Sequence, residues 1–353
     1  MTENLYVHFP FCRRKCAYCA LHSRAGTSPE RRAEHVRRVR REIEEAADLR
    51  PRTVYFGGGT PALCDLAPLA GLFDGVEEFT VELHPLDVTD ELLARLRELG
   101  VNRISLGVQS FDDSVLRSMG RLHSAAEAAD AFARIRAAGF DNAGIDLIAG
   151  WPDDSRALDS VRRAIDLGID HASVYSLIVE PGTTLARDVR RDSLRLPSDD
   201  AALDTLRAAA NLLAASGLRR YEVSNYARPG RACRHNLAVW RGEDYLGLGP
   251  GAHSRVGNER WHVDDDWRRA DLTTLALADD ARERALFALR LAEGINLSRT
   301  ASRFPALAER CARWRERLEA LVPVGIVRRT SNDVYALTAR GFEVCDAVMA
   351  ELA

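Results

Sequence analysis

Six short apolar runs, at residues 5–11, 53–56, 79–83, 103–108, 143–147 and 172–177, alternate with stretches of helical periodicity such as 29–49, 125–138 and 155–167. Strands spaced by helices cannot pair as tight hairpins, so they assemble as a parallel sheet with crossover helices. The uniform hand of such crossovers curls six units into an incomplete (β/α)6 barrel. In parallel barrels the residues at the carboxyl ends of the strands share one face, and that face carries the chemistry. The predicted class is therefore α/β, and the residues just past each run are the ones to examine.

The first run leads directly into Cys12, Cys16 and Cys19, in C-x3-C-x2-C spacing. Soft thiolates suit iron–sulfur clusters, which normally take four cysteines. Three on one short loop would leave one iron of a [4Fe–4S] cube open to an outside ligand. A zinc site or three unrelated thiols are the alternatives. Structural zinc takes four protein ligands, usually from paired C-x2-C units, and no second pair follows. The cysteine count is seven, an odd number, which fits a reducing cytoplasm better than a disulfide framework. Cys64, Cys311 and Cys345 read as ordinary buried thiols.

The other run ends are equally marked. The second meets Gly57-Gly58-Gly59-Thr60-Pro61, where glycines let backbone approach a ligand closely. The third carries Glu82 inside an apolar stretch, costly unless partnered. The fourth ends near Gln109, with Arg121 beyond it. The fifth carries Asp146 between Ile145 and Leu147. Arg13, Arg14 and Lys15 place positive charge inside the cysteine loop, where a donor could dock. His84 reads as a loop cap and His123 as a helix-start residue.

This set of motifs resembles the radical S-adenosylmethionine (SAM) superfamily, with its TIM-like partial barrel. The resemblance implies that SAM chelates the open iron through its amino and carboxylate groups and is cleaved by an electron from the cluster. It implies SAM contacts for Tyr6, Gly58, Gly59, Thr60, Glu82 and Gln109. Arg121 falls to the SAM carboxylate region, Asp146 to the ribose, and Tyr18 to the adenine. The form G-G-G-T-P resembles the coproporphyrinogen oxidase-like (HemN/HemW) branch.

Residues 221–254 narrow the resemblance further. His235-Asn236-Leu237-Ala238-Val239-Trp240 is similar to the H-N-x-x-Y-W block that the HemW family associates with heme, with Val239 in place of tyrosine. His235 is then the heme-ligand candidate, with Cys233 and His253 behind it. Leu21 stands where the coproporphyrinogen dehydrogenases carry a further cysteine, and the first strand begins by residue 5 rather than after an extension. Ala20 replaces the aspartate usual after the last cysteine. The implied activity is that of a heme chaperone: a cluster, SAM and heme, an electron donor, and an acceptor protein that receives the heme. Coproporphyrinogen decarboxylation and a class C methyltransferase using two SAM molecules remain as alternatives.

A net charge of −3 offers no general attraction to nucleic acid. No apolar run approaches the roughly 20 residues that span a bilayer, and Met1-Thr2-Glu3-Asn4 has no signal-peptide layout. The expected location is the cytoplasm. From residue 281 the pattern changes to helices at 281–291 and 306–321, a hairpin over 327–337 and a closing helix over 338–352. That order resembles a winged-helix-like α+β module. Its last helix carries Glu343, Asp346 and Glu351, so the sheet-capping or substrate-lid role that the HemN/HemW resemblance implies suits it better than reading DNA. The expected division is a partial barrel at 1–220, a connecting and heme-loop region at 221–280, and the C-terminal module at 281–353.

Overall fold

The computed structural model describes residues 1–152 and 156–353. Ser155, which the sequence places at a helix start, lies outside the described residues.

Strand β1 (Thr2–Phe9) is followed by helix α1 (Pro29–Glu45) and strand β2 (Leu49–Gly58). Then come β3 (Glu78–Leu83), α2 (Asp90–Glu98), β4 (Arg103–Gln109), α3 (Ala125–Ala137), β5 (Ala143–Ala149), α4 (Ala157–Asp166), β6 (His171–Ser176) and α5 (Asp199–Ala215). The six strands lie side by side in chain order and pair in parallel. Strands β7 (Arg219–Arg220) and β8 (Asn225–Ala227) extend the β6 edge in antiparallel fashion. After helix α6 (Arg234–Trp240), strand β9 (Leu246–Leu248) adds to β1 in parallel. The nine-stranded sheet thus runs β9-β1-β2-β3-β4-β5-β6-β8-β7.

Local signals explain the element ends. Ser28 accepts a hydrogen bond from the Arg31 N–H and Pro29 fills the first turn of α1. The helix buries His35, Val36 and Val39 and turns its charges outward, where Glu34–Arg37 and Arg40–Glu44 pair along the surface. Ser124 and Glu127 form a reciprocal capping box at the start of α3. The expected first strand ran to residue 11, but it stops at Phe9. Pro10 has no N–H to donate to a ladder, and Phe11–Cys12 turns away to pair with Arg24–Ala25.

Alternation along each strand separates two faces. Val54, Phe56, Val81, Ile104, Leu106 and Ile145 are fully buried and belong to the main apolar core. Phe56 sits against Phe9, Phe73 and Phe79, with centroids 5.1, 5.7 and 4.8 Å away. Such aromatic pairs contribute about 0.5–1.5 kcal/mol each beyond burial. The opposite positions carry Tyr6, Tyr55, Glu82, Ser105 and Asp146. Register brings them together: Tyr6 pairs with Tyr55, Glu82 with Ser105, and Gly107 with Asp146.

Past β9 the chain forms an unexpected three-stranded antiparallel sheet, β10 (His253–Val256), β11 (Glu259–Val263) and β12 (Arg269–Thr274). Helices Leu277–Phe287, Leu297–Arg303 and Ala308–Leu321 follow. The hairpin Val327–Ser331/Val334–Leu337 takes Ile295–Asn296 as a third strand. These elements enclose their own apolar cluster around Trp314, whose indole N–H donates to the Leu352 carbonyl at 2.7 Å. The single closing helix expected over 338–352 is two, Ala339–Glu343 and Cys345–Leu352. Gly341 packs so tightly on Ile326 that an added Cβ would lie 2.1 Å from its carbonyl oxygen, and Val344 leaves the helical region. Arg207 on α5 ties this part to the barrel through both oxygens of Glu343, at 2.7 and 2.8 Å. Among the described residues, no helix is long and apolar enough to cross a membrane.

Candidate functional site

The loop after β1 separates the cysteines by exposure. Cys12, Cys16 and Cys19 are part-exposed free thiols, while Cys64, Cys233, Cys311 and Cys345 are buried. Backbone bonds hold the loop from two sides: the Ala17 N–H donates to Met119 O, and its carbonyl accepts from the Leu185 N–H, both at 2.8 Å. The three thiols line one cavity of about 550 Å³ at the carboxyl ends of the strands. Burial pushes the Cys12 and Cys19 thiols above their usual range, with the Ser23 hydroxyl partly opposing this at Cys12.

The same cavity is lined by Tyr18, Gly58, Gly59, Thr60, Glu82, Gln109, Arg121 and Asp146. Two of the glycines are required by space. Gly58 has φ +104° and an added Cβ would fall 2.5 Å from the His8 ring; at Gly59 it would fall 2.5 Å from Phe11 O. Glu82 Oε2 accepts the Gly58 N–H at 3.1 Å and Oε1 accepts the Tyr55 hydroxyl at 2.8 Å. Burial, with the Asp146 charge behind it, raises the Glu82 carboxyl to about 7. Burial also raises Asp146, whose two oxygens face the Ser105 hydroxyl at 3.1 and 3.2 Å.

Strand β4 ends irregularly. Its register slips between Gly107 and Gln109, and Gln109 has φ +74°. A bulge with a non-glycine residue in the left-handed region aims a side chain at the cost of strain. Arg121 bridges this strand end to the cysteine loop, bonding Gly107 O through Nη2 and reaching Cys16 Sγ at 3.6 Å through Nη1. Tyr18 meets Trp151 edge-on at 6.0 Å, and Trp151 Nε1 donates to Ser118 Oγ at 2.7 Å. His84 Nδ1 accepts the Leu86 N–H at 3.2 Å, so it caps the turn Pro85–Asp87. Buried His123 contacts Val108 O at 3.1 Å, one residue before the α3 cap. Arg13 of the cysteine loop is paired with the buried carboxylate of Asp87.

The donor set fits an iron–sulfur cluster with a nucleotide beside it. Three soft thiols open on one face of a cavity. Arg121 offers a cation, and its buried Nε has no partner among the described residues. The two acids, Glu82 and Asp146, lie where polar hydroxyls and an ammonium could be received.

Tyr6 and His235 are not brought to this cavity. Tyr6 shares the inner face of β1 with His8, bonds its Nδ1 at 3.0 Å, and stacks on Tyr55 at 6.0 Å. His235, on α6, is buried against both Tyr6 and Tyr55, with Nδ1 2.9 Å from Thr53 Oγ1. Burial, aided by the Arg103 charge, lowers His235 to about 4. Glu78 anchors α6 by accepting the Arg234 and His235 N–H groups at 2.9 and 3.1 Å. Tyr6 and His235 line a second cavity of about 810 Å³, together with His8, His22, Tyr245, His253 and His262. Ala20 and Leu21 line both cavities. Sequence reasoning had named His235 and His253 here but missed His8, His22 and His262; the local signal for the last was Gly257-Asn258, a turn that sets His253 opposite His262.

Comparison with known proteins agrees with this geometry. Residues 6–158 match the Radical SAM superfamily. Heme chaperone HemW of Mycobacterium tuberculosis is 37% identical, over 99% of this chain and 94% of that protein. The Bacillus subtilis heme chaperone HemW is 30% identical, over 99% and 100%. The Lactococcus lactis protein of that name is 30% identical, over 97% and 95%. Escherichia coli HemN, a coproporphyrinogen III oxidase, superposes with a TM-score of 0.83 at 23% identity, over 99% of this chain and 90% of that one; the likeness is one of fold. Identity of 30–37% along almost its whole length with these relatives, on a chain with a three-thiol loop at the mouth of a six-stranded parallel sheet, makes it a member of the radical SAM superfamily and, within it, of the HemW family.

Proposed function

We propose that this protein is a heme carrier: it binds heme, holds a [4Fe–4S] cluster and SAM, and passes the heme to an acceptor protein, drawing on an electron donor. The observation that supports this most is kinship with named heme chaperones across 99% of the chain. Cys12, Cys16 and Cys19 are the cluster ligands in this reading. The cluster supplies one-electron chemistry to the sulfonium of SAM.

The chain's own groups do the positioning. Gly58, Gly59 and Thr60 present backbone where a side chain would block approach. Glu82, ionised, receives the nucleotide's ammonium; with its carboxyl raised to about 7, it changes protonation near neutrality. The fork of Arg121 suits a carboxylate. Asp146 takes ribose hydroxyls, Gln109 closes the mouth, and Tyr18 backed by Trp151 gives an apolar wall for adenine and excludes water.

The test uses the full chain, reconstituted without oxygen and titrated with heme. It is then incubated with SAM, reductant, and either heme or coproporphyrinogen. Stoichiometric heme uptake without porphyrin turnover is expected. A decarboxylated or methylated product would overturn the carrier reading.

A further inference from the structure

Glu82 is held at both oxygens, and the two holders differ. Oε2 takes the Gly58 N–H at 3.1 Å, a donor that the backbone supplies. Oε1 takes the Tyr55 hydroxyl at 2.8 Å, a donor that depends on the side chain. Among the described residues no other group hydrogen-bonds this carboxyl. Tyr55 lies on β2, paired across the ladder with Thr80 of β3, so its hydroxyl reaches forward to the acid two residues further on. No side chain intervenes. At Gly57 an added Cβ would lie 3.0 Å from Glu82 Cδ and 3.0 Å from Tyr55 Cε1. The Tyr55 ring is packed by Tyr6 of β1 and His235 of α6, with centroids 6.0 and 5.4 Å away.

Glu82 lines the first cavity, whereas Tyr55 lines neither. The phenol therefore meets no guest of the cavity and acts through the acid. An ionised carboxylate has about four lone-pair positions. Tyr55 and Gly58 occupy two and leave the rest for a ligand. A phenol donates only while protonated. Burial first, and the Glu82 charge next, push the Tyr55 hydroxyl well above its usual range, so it stays a donor wherever Glu82 titrates. A hydrogen bond given to the charged form favours that form. Here it opposes burial and the Asp146 charge on β5, which raise the Glu82 carboxyl. Arg103 on β4 also favours ionisation, and the phenols Tyr6 on β1 and Tyr175 on β6 face the same charge.

We propose that Tyr55 is a positioning residue for the first cavity: its hydroxyl keeps Glu82 ionised and turned to receive the ammonium of the nucleotide. The assignment rests on the reading above that Glu82 takes that group. It adds the side chain that makes the acid fit for the task.

Tyr55→Phe keeps the ring and deletes one oxygen, and melting curves check that the variant folds. SAM affinity is measured by anaerobic equilibrium dialysis on the reconstituted full chain and on the variant, over a series of pH values. The ratio of the two affinities cancels the titration of SAM's own amino group. Ionisation of the carboxyl is followed separately, without SAM, by infrared titration, with Glu82→Gln identifying its band. Loss of the donor should raise the Glu82 midpoint by about one unit, so that affinity falls about fivefold at pH 7 and the two proteins converge by about pH 9. A role in packing alone would not follow that profile. An equal loss at every pH, or no loss at any, overturns the assignment. Failure of the wild type to bind SAM overturns the nucleotide reading instead. The infrared midpoint, moved or unmoved, then still decides what Tyr55 does to Glu82.

Discussion

The two cavities are built in opposite ways. The cysteine-lined one gathers residues from consecutive strand ends, each delivered by its own short motif. The histidine-lined one draws on β1, the tail of the cysteine loop, α6 and the β10–β12 sheet, segments separated by more than 200 positions. One is specified locally and assembled by a repeating fold. The other exists only once distant segments have docked. Chemistry that demands fixed ligand spacing favours the first design, and room for a bulky guest can come from the second.

The largest expected effect tests whether the chambers are separable. Cys12→Ala should abolish the four-iron signal on anaerobic reconstitution, read by Mössbauer or EPR spectroscopy. Heme uptake by the same variant should persist, because the cavity lined by the heme-ligand candidate His235 contains none of the three cysteines. Loss of both together would break the contrast.

Gly58→Ala should damage both sides at once. Its φ of +104° and the His8 ring 2.5 Å from the added Cβ make the substitution strained. A loss of about 1–3 kcal/mol is expected for forcing such a conformation, measured by chemical denaturation.

Glu82 gives a pH signature confined to the first cavity. Its folded pKa, about 7, lies above the ordinary carboxylate value. The stability it contributes is therefore complete below that ordinary value and is lost as pH rises through about 7. SAM affinity should move the other way, rising across pH 7 as the acceptor ionises. Glu82→Gln should flatten both profiles, in thermal melts and in SAM titrations.

The smallest effect belongs to the second cavity. Asp265→Asn removes exposed pairs with Arg24 and His22. Such pairs contribute about 0–1 kcal/mol, so the melting curve should hardly move and the cluster signal should be unchanged.

Six parallel strands were legible because short apolar runs alternated with helical periodicity, and several carried a glycine or an acid near their ends, as at Gly57, Glu82, Gly107 and Asp146. The cysteine loop was legible from spacing alone. Tyr6 was not, because alternation on β1 fixes its face but not which chamber that face meets. His235 drew notice through its neighbours in sequence, yet its surroundings are set by Thr53 and Glu78, from strands laid down long before it. The β10–β12 sheet was missed because its strands are short and polar, with few apolar positions to mark a face.

Ala20 and Leu21 are exposed and belong to the lining of both chambers. They follow Cys19 without a break, so any shift that loading the thiols imposes on the loop reaches the neighbouring compartment within two residues. Reciprocity then requires that the guest on the far side feel the inorganic assembly as strongly as the assembly feels the guest. Whatever fills either chamber thus meets the same two side chains, so occupancy of one can be felt at its neighbour.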